Sequence, residues 1–587
     1  MSSFGFNPQP YKKQLLQLVQ DIEDLPGPSW KTLQKLLRKY PKDGRDIFSR
    51  DQIIKGYRML VNEGIVVFNQ DFVEKVKMKP VRTISGVTPV TVLTKPYPCP
   101  GKCIYCPNDV RMPKSYLAME PGAQRAERNA FDPYLQTYNR LEAFANIGHR
   151  VDKVELIILG GTWSFYPVKY QIWFVKRCFD ALNDFGVRDN RAQVKTNNIF
   201  AAADRREKIN KQGRRMTYNE IISKVAYGKS RGFFSPEELS DWPALLAAQI
   251  QNETAASRCV GLVIETRPDY LTPEEIVKIR KLGATKVQIG IQSLDDRVQQ
   301  LNKRGHGRKE VEQAVSLLRL AGFKIHAHWM PNLLGSTPKK DKKDYLRLWE
   351  QSIRPDELKI YPTSIIADTE LFELYKKGKY HPYTETELTE VLKFCFRHTP
   401  RYCRLTRVIR DIPAHDIVAG NKQSNLRQVA EAQLLDSGRQ CQCIRCREIR
   451  NMMVRFPDLE LEKIIYKTST GKEIFLSYKA KKADKIVGFL RLHLPWRSLS
   501  RKHFIPELAD CAIIREVHVY GQVADLGEKN SRKSQHLGIG TALINKARLL
   551  SKADKFSKLA VISAIGTREY YRKRGFALND LYMIAEI

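Results

Sequence analysis

Between residues 88 and 365 the chain repeats one pattern: a short β-rich run, then a longer stretch with helical periodicity. The runs are Val90–Leu93, Val154–Leu159, Gly261–Glu265, Val287–Ile291, Ile325–Trp329 and Leu358–Tyr361. Most are compact and apolar, as strands are when helices cover them. Six β/α units of this kind predict a partial barrel of parallel strands. In such a barrel the reactive end lies at the loops that follow the strands.

The rest of the chain must fold around other cores, since 587 residues exceed what one core can bury. Residues 1–80 read as a basic helical region, with Lys31, Lys35, Arg38, Lys39 and Lys42 at helical spacing and Leu33, Leu36 and Leu37 for the buried side. Residues 81–365 hold the barrel. Within them an insertion at 190–242 carries Arg205, Arg206, Lys208, Lys211, Arg214 and Arg215 and reads as helical, exposed and basic. Residues 366–455 form a connecting region. From 456 to 587 strands are expected at Ile464–Lys467, Ile474–Tyr478, Ile486–Leu492, Ala512–Val519 and Leu559–Ser563, with a helix from about Gly538 and a short one near Arg568. That order predicts a compact α+β domain.

Lys and Arg number 99 against 64 acids, a formal charge of +35. Such an excess points to a polyanionic partner, because each neutralised phosphate releases counterions. Lys31, Lys35, Arg38, Lys39, Arg205, Arg206, Arg214 and Arg215 are the candidate nucleic-acid contacts, against the plainer reading of a solvated basic face. No run of eighteen apolar residues suggests a membrane span, and the N-terminus lacks the apolar core of a secretory signal, so a cytoplasmic protein is expected.

Six of the 11 cysteines fall into two triplets. Cys99, Cys103 and Cys106 follow the first strand, where three thiolates on one loop can hold three irons of a 4Fe–4S cluster and leave the fourth open. A structural zinc loop with a distant fourth ligand is the competing reading. Gly160-Gly161-Thr162 follows the second strand, and Glu265 and Gln292 stand at the ends of later ones, all at the same predicted barrel end. Cys441, Cys443 and Cys446 read most economically as a structural zinc site, with a second iron–sulfur cluster as the alternative. His398, Cys403 and His415 are candidates for its fourth ligand.

Near the C-terminus, Gln535-His-Leu-Gly538-Ile-Gly540-Thr541 leads into the helix Ala542–Lys552. Glycines there free backbone N–H groups at a helix start to bind a pyrophosphate. The run Arg515–Val519 offers a strand edge to an amide-bearing ligand, and Tyr570 and Tyr571 follow on a short helix.

The C-x3-C-x2-C spacing, with an aromatic before the last cysteine, resembles the radical S-adenosylmethionine (SAM) superfamily. The Gln-x-x-Gly-x-Gly turn resembles the Gcn5-related N-acetyltransferases. With Val151-Asp152-Lys153, Glu265 to Asp269, Arg410 to Pro413 and Gly566 to Gly575 in the same order, most of the chain resembles the Elongator complex protein 3 family of bacterial or archaeal type. The fold implied is an α/β one: a partial (β/α)6 radical SAM barrel, joined through a metal-binding linker to an α+β Gcn5-related N-acetyltransferase domain. The activity implied is radical SAM-dependent transfer of the acetyl group of acetyl-CoA to carbon-5 of the wobble uridine, giving 5-carboxymethyluridine. SAM, a 4Fe–4S cluster, acetyl-CoA, structural zinc, an electron donor and the tRNA anticodon stem-loop are the implied ligands, and a second copy of the chain is a further candidate partner.

By the same resemblance Gly160, Gly161 and Thr162 contact SAM. Thr162 stands where many superfamily members have an acid. Lys153, Glu516, Val517, His518, Val519, Gln535, Gly538, Ile539, Gly540, Thr541 and Tyr571 contact acetyl-CoA; Lys153 and Tyr571, with Tyr570, are the catalytic candidates. The rival is a protein-lysine acetyltransferase with a structural cluster, which needs a general base such as Glu516.

Overall fold

The computed structural model describes residues 6–25, 30–43, 46–78, 86–196, 198–200, 216–229, 232–450, 452, 454–520 and 538–587. Helices Lys12–Glu23, Trp30–Leu37, Arg50–Asn62 and Gln70–Val76 make the N-terminal region. They close over a small core of their own that includes Leu15, Leu18, Leu37, Tyr57 and Phe72.

The barrel strands are β1 (Thr88–Leu93), β2 (Lys153–Leu159), β3 (Arg258–Thr266), β4 (Lys286–Gln292), β5 (Lys324–Trp329) and β6 (Glu357–Ile360). After β7 (Ile365–Ile366), a seventh parallel strand, β8 (Arg404–Arg407), joins the sheet from the stretch read as connecting region. The order is β1-β2-β3-β4-β5-β6-β8, parallel throughout. A two-residue pairing of β7 with β9 (Ile417–Ala419) stands apart from it.

Alternation along the strands sets what this sheet encloses. In β4, Val287, Ile289 and Ile291 pack into the core under the helices, while Lys286 and Gln288 line an internal cavity. In β5 the core members are Ile325, Ala327 and Trp329, and Lys324 and His326 face the cavity. Successive side chains point to opposite faces of a strand, so one apolar face meets the helices and one polar face meets the inside. Residues from β1 through β8 converge on this one space, so the sheet is curled into a partial barrel.

The second sheet comprises β10 (Leu459–Lys467), β11 (Gly471–Ala480), β12 (Lys485–Pro495), β13 (Cys511–Val519), β14 (Lys558–Val561), β15 (Ala577–Leu578) and β16 (Met583–Glu586). All its pairings are antiparallel except β13 with β14. That parallel pairing covers only Cys511–Ile514, so among the described residues no strand pairs with the β14 side of Arg515–Val519.

This domain docks on the N-terminal ends of the barrel strands. Tyr582 donates its hydroxyl to Ala321 O (2.6 Å), and Arg280 Nη2 donates to Ser563 O (2.8 Å). Arg515 on β13 is fully buried and pairs with Asp356, just before β6, and with Glu473 (2.9 Å). At Gly566 a Cβ would sit 2.6 Å from Arg258 Cβ and 2.9 Å from Cys259 O, so backbone meets strand with no room for a methyl group. One apolar core runs through both domains.

Candidate active site

The loop after β1 places Cys99, Cys103 and Cys106 around a small cavity of about 100 Å³ at the C-terminal ends of the strands. Gly160, Gly161 and Thr162 after β2, Glu265 at the end of β3 and Gln292 at the end of β4 line the same cavity. The sequence-predicted residues, spread over nearly two hundred positions, are therefore brought together. Gly160 has φ +151°, which L side chains rarely adopt, and a Cβ there would overlap the Thr94 hydroxyl. Thr162 is buried, with its Oγ1 3.8 Å from Cys99 Sγ.

Two arginines that sequence reasoning missed shape the electrostatics. Arg304 Nη1 lies 3.5 Å from Cys103 Sγ and its Nη2 donates to Gly290 O (2.8 Å). Gly290 leaves the space for that guanidinium, since a Cβ would stand 2.6 Å from Arg304 Nη2. Burial works to raise the Cys103 pKa, but Arg304, with Arg267, overrides it and the net shift is downward. At Cys106 burial prevails over Lys114 and Arg410 and pushes the thiol up to about 11. Burial also raises Glu265, with Lys359, Arg410 and Arg304 working against it. The signal for Arg267 was positional, since it directly follows the end of β3; Arg304 lies past the helix Asp296–Leu301 that follows β4 and carried no such signal.

Arg267 Nη1, Arg304 Nε and Gln292 Oε1 are buried without a protein partner, so the wall presents donors and an acceptor for a polar ligand. The three sulfurs do not all lie within 4.8 Å of one another. The second triplet does: among the described residues it is the one set of His, Cys, Asp or Glu donors packed that closely. Cys443 Sγ and Cys446 Sγ are 3.7 Å apart. Two thiolates on one tetrahedral zinc, at about 2.3 Å each, would stand about 3.8 Å apart. The second triplet thus fits a single ion, whereas the first fits a cluster whose cysteines bind separate irons.

None of the proposed fourth ligands joins the second triplet. His398 bonds through Nδ1 to Phe394 O (2.8 Å), His415 is exposed beside Asp416, and Cys403 lies outside the sulfur group. Glu431 Oε1 is 3.7 Å from Cys446 Sγ but is held by Arg427 (2.8 Å).

Inside the barrel a larger cavity, about 580 Å³, runs from the strand interiors to the C-terminal domain. Glu516, Val517 and His518 of the free β13 edge line it, as does Tyr571. Lys324 spans the junction, 2.6 Å from Glu516 and 3.4 Å from Glu357. Further along, Gln288 Oε1 accepts from Lys359 Nζ (2.6 Å) and is 3.0 Å from His328 Nε2. His328 Nδ1 in turn lies 3.7 Å from Glu265, on the wall of the cysteine cavity. Polar side chains therefore occupy the barrel interior between two cavities that share no lining residue.

Burial alone would raise the Glu516 carboxyl, but Lys324 and Arg491 (2.9 Å) hold it near a pKa of about 2. So low a value makes it a poor general base at neutral pH. Burial lowers His518 to about 4 and raises Tyr571. Lys153 opens β2 at the end where the second domain docks, half-buried and lowered by desolvation, but it does not line the cavity.

At the other end of the free edge, Gly538 (φ +67°) caps the helix Ile539–Ala553. A Cβ on Gly540 would overlap the Tyr570 hydroxyl. Arg574 stacks on the Tyr570 ring (3.5 Å) and donates to Thr541 Oγ1 (2.9 Å), while Val519 packs near Gly540. Ile539 is core, and Tyr570 is part-exposed and outside the cavity. Gln535, Arg205, Arg206, Arg214 and Arg215 lie outside the described residues, as does the side chain of Lys31. Lys35, Arg38 and Lys39 are exposed.

A curled parallel sheet with three cysteines after its first strand defines a member of the radical SAM superfamily. The Radical SAM superfamily profile matches residues 97–344, and that of the Radical_SAM C-terminal domain matches 355–435. A tRNA uridine(34) acetyltransferase of Methanocaldococcus jannaschii is 38% identical over 524 residues, 86% of each chain. The Elongator complex protein 3 of Homo sapiens is 34% identical over 528 residues, 87% of this chain and 86% of that one. The solved structure of an N-terminally truncated archaeal Elp3 from Methanocaldococcus infernus superposes with a TM-score of 0.66 at 34% identity, covering 86% of this chain and 100% of that one. The chain belongs to the tRNA uridine(34) acetyltransferase and Elongator complex protein 3 family.

Proposed function

We propose that this chain modifies carbon-5 of the wobble uridine of tRNA with the acetyl group of acetyl-CoA, giving 5-carboxymethyluridine. The observation that carries the reading is that one barrel holds both the cavity on the β13 edge and the cysteine cavity, with Gln288, His328 and Glu265 in contact between them. Two separate enzymes would have no use for such a connection.

A 4Fe–4S cluster on Cys99, Cys103 and Cys106, with SAM bound, supplies a 5′-deoxyadenosyl radical able to take hydrogen from the acetyl methyl group. The protein's own groups do the rest. Arg304 Nη1, 3.5 Å from Cys103 Sγ, favours the thiolate form of that ligand, and the unpartnered Arg267 Nη1 and Gln292 Oε1 orient a polar ligand beside Gly160-Gly161-Thr162. The free backbone of Arg515–Val519 pairs with a pantetheine arm, and the glycine turn at Gly538 and Gly540 receives the pyrophosphate. The Tyr571 hydroxyl, kept protonated by burial, can donate to the thioester carbonyl. Enclosure by the barrel keeps water from a reactive carbon centre.

The proposed division is residues 1–80 and the insertion for tRNA contact, 81–365 for the radical chemistry, 366–455 for a structural zinc at Cys441, Cys443 and Cys446, and 456–587 for acetyl-CoA. A reductant must supply the electron. Among the described residues no helix is long and apolar enough to cross a membrane, and a cytoplasmic enzyme, alone or as a homodimer, is the expected setting. Glu516, locked to Lys324 and Arg491, counts against the protein-lysine acetyltransferase alternative.

The test is mass spectrometry of tRNA nucleosides after anaerobic incubation with SAM, acetyl-CoA and dithionite. Appearance of 5-carboxymethyluridine, dependent on all three, supports the proposal. Acetylation of added peptide with unmodified tRNA would overturn it.

A further inference from the structure

The basic residues that mark the insertion in the sequence, Arg205 to Arg215, lie outside the described residues. Its described C-terminal part grips the cysteine loop. Asn219, in the first turn of the helix Tyr218–Lys229, makes two hydrogen bonds to one residue: Cys99 N–H donates to Asn219 Oδ1 (3.0 Å), and Asn219 Nδ2 donates to Cys99 O (2.9 Å). The next-door Tyr218 is buried and donates to Met112 O (2.7 Å) on the far flank of the same loop. Its ring also carries Lys114 Nζ at 5.0 Å, and Lys114 lines the cysteine cavity.

Packing follows the same two flanks. Val110 joins Tyr218, Ile221, Ile222 and Phe233 in one small core. Tyr97, two residues before Cys99, rests edge-on against Phe233 at 5.0 Å, and Lys95 pairs with Glu238. The insertion thus takes hold of the loop before its first cysteine and again after its last.

The loop's own fastenings show why this matters for Cys99. Cys106 N–H donates to Cys103 O (3.2 Å), and Ile104 between them bonds through its backbone to Asn302 (3.3 Å) and Leu371 (2.9 Å). The Cys103–Cys106 half is therefore held by a turn and by the barrel. At Cys99 the backbone N–H and C=O are both taken by Asn219.

We infer that the helix Tyr218–Lys229 is a clamp on the cluster loop, with Asn219 the positioning residue that sets the first cysteine ligand. The inference rests on the proposal that this loop holds a 4Fe–4S cluster. It assigns the insertion a second task besides any contact with tRNA.

The experiment uses full-length protein with its cluster reconstituted anaerobically, and follows bleaching of the cluster absorbance by a ferrous chelator. Asn219→Ala and Tyr218→Phe should each lose the cluster about three- to tenfold faster than wild type, the size expected for one or two lost hydrogen bonds. Thr217→Ser serves as comparator, because Thr217 Oγ1 caps this helix by accepting from Glu220 N–H and a serine keeps that cap. It should match wild type, and the melting temperatures of Asn219→Ala and wild type should agree, since Asn219 is exposed. Wild-type bleaching rates in Asn219→Ala, or equal acceleration in Thr217→Ser, would overturn the clamp. Failure of wild type itself to take up iron would instead remove the cluster reading, and the clamp with it.

Discussion

Replacing Glu516 by glutamine removes one negative charge from the junction of the two domains while keeping the side chain's shape. In the native chain that carboxylate meets Lys324 at 2.6 Å and Arg491 at 2.9 Å. Its pKa falls from an ordinary 4.5 to about 2, burial opposing and the two cations prevailing. At 1.36 kcal/mol per unit, that shift corresponds to about 3 kcal/mol of folding stability. A carboxylate depressed on folding contributes fully above its unfolded pKa and loses the contribution as pH falls through the folded one. The window is therefore about 4.5 down to 2, below the working range.

Glu516→Gln should accordingly cost about 3 kcal/mol, the scale seen when one partner of a buried pair is removed. The cost should be constant between pH 8 and pH 5. Urea unfolding of the domain junction, followed by tryptophan fluorescence at three pH values, measures both quantities. A cost under about 1 kcal/mol would refute the ion-pair account. So would a cost that changes between pH 5 and 8, because it would mean a group titrating near neutrality, as a general base must.

Changing Cys99, Cys103 or Cys106 to Ala should abolish 5′-deoxyadenosine formation from SAM, read by chromatography, and intact turnover in any of the three would remove the radical reading. Cys443→Ser should lower bound zinc, measured by plasma mass spectrometry, and reduce the melting temperature while SAM cleavage persists. Gly540→Ala forces a methyl group onto the Tyr570 hydroxyl. At about 1–3 kcal/mol for overpacking, acetyl-CoA affinity by calorimetry should fall about 5- to 150-fold. The affinity for tRNA should drop steeply between 50 and 200 mM salt, and a flat dependence would speak against phosphate contacts.

The barrel was legible because its first six strands each carry a compact apolar run. β8 escaped because Arg404-Leu-Thr-Arg407 offers a single core residue, Leu405, and reads as a loop. β15 and β16 are two and four residues long, too short for a period to show. Polar–apolar alternation in Lys286-Val-Gln-Ile-Gly-Ile-Gln292 was there to be read, and it marks the side chains that face the interior. Both cysteine triplets stood out by spacing, but only the fold shows that the sulfurs of the second gather within 4.8 Å of one another and those of the first do not. Arg304 and Asn219 reach Cys103 and Cys99 across 201 and 120 residues, a juxtaposition that only the closed fold creates.

The backbone contact at Gly566 leaves no gap for sliding, so the second domain is seated on the barrel as a fixed base. The distance between the two chemistries is then set by the strands themselves. β2 has seven residues, which at about 3.3 Å each amounts to about 23 Å. The molecule behaves as a ruler of that length. Whatever is joined inside it has to arrive on long tethers from either end, reach rather than domain motion making the meeting.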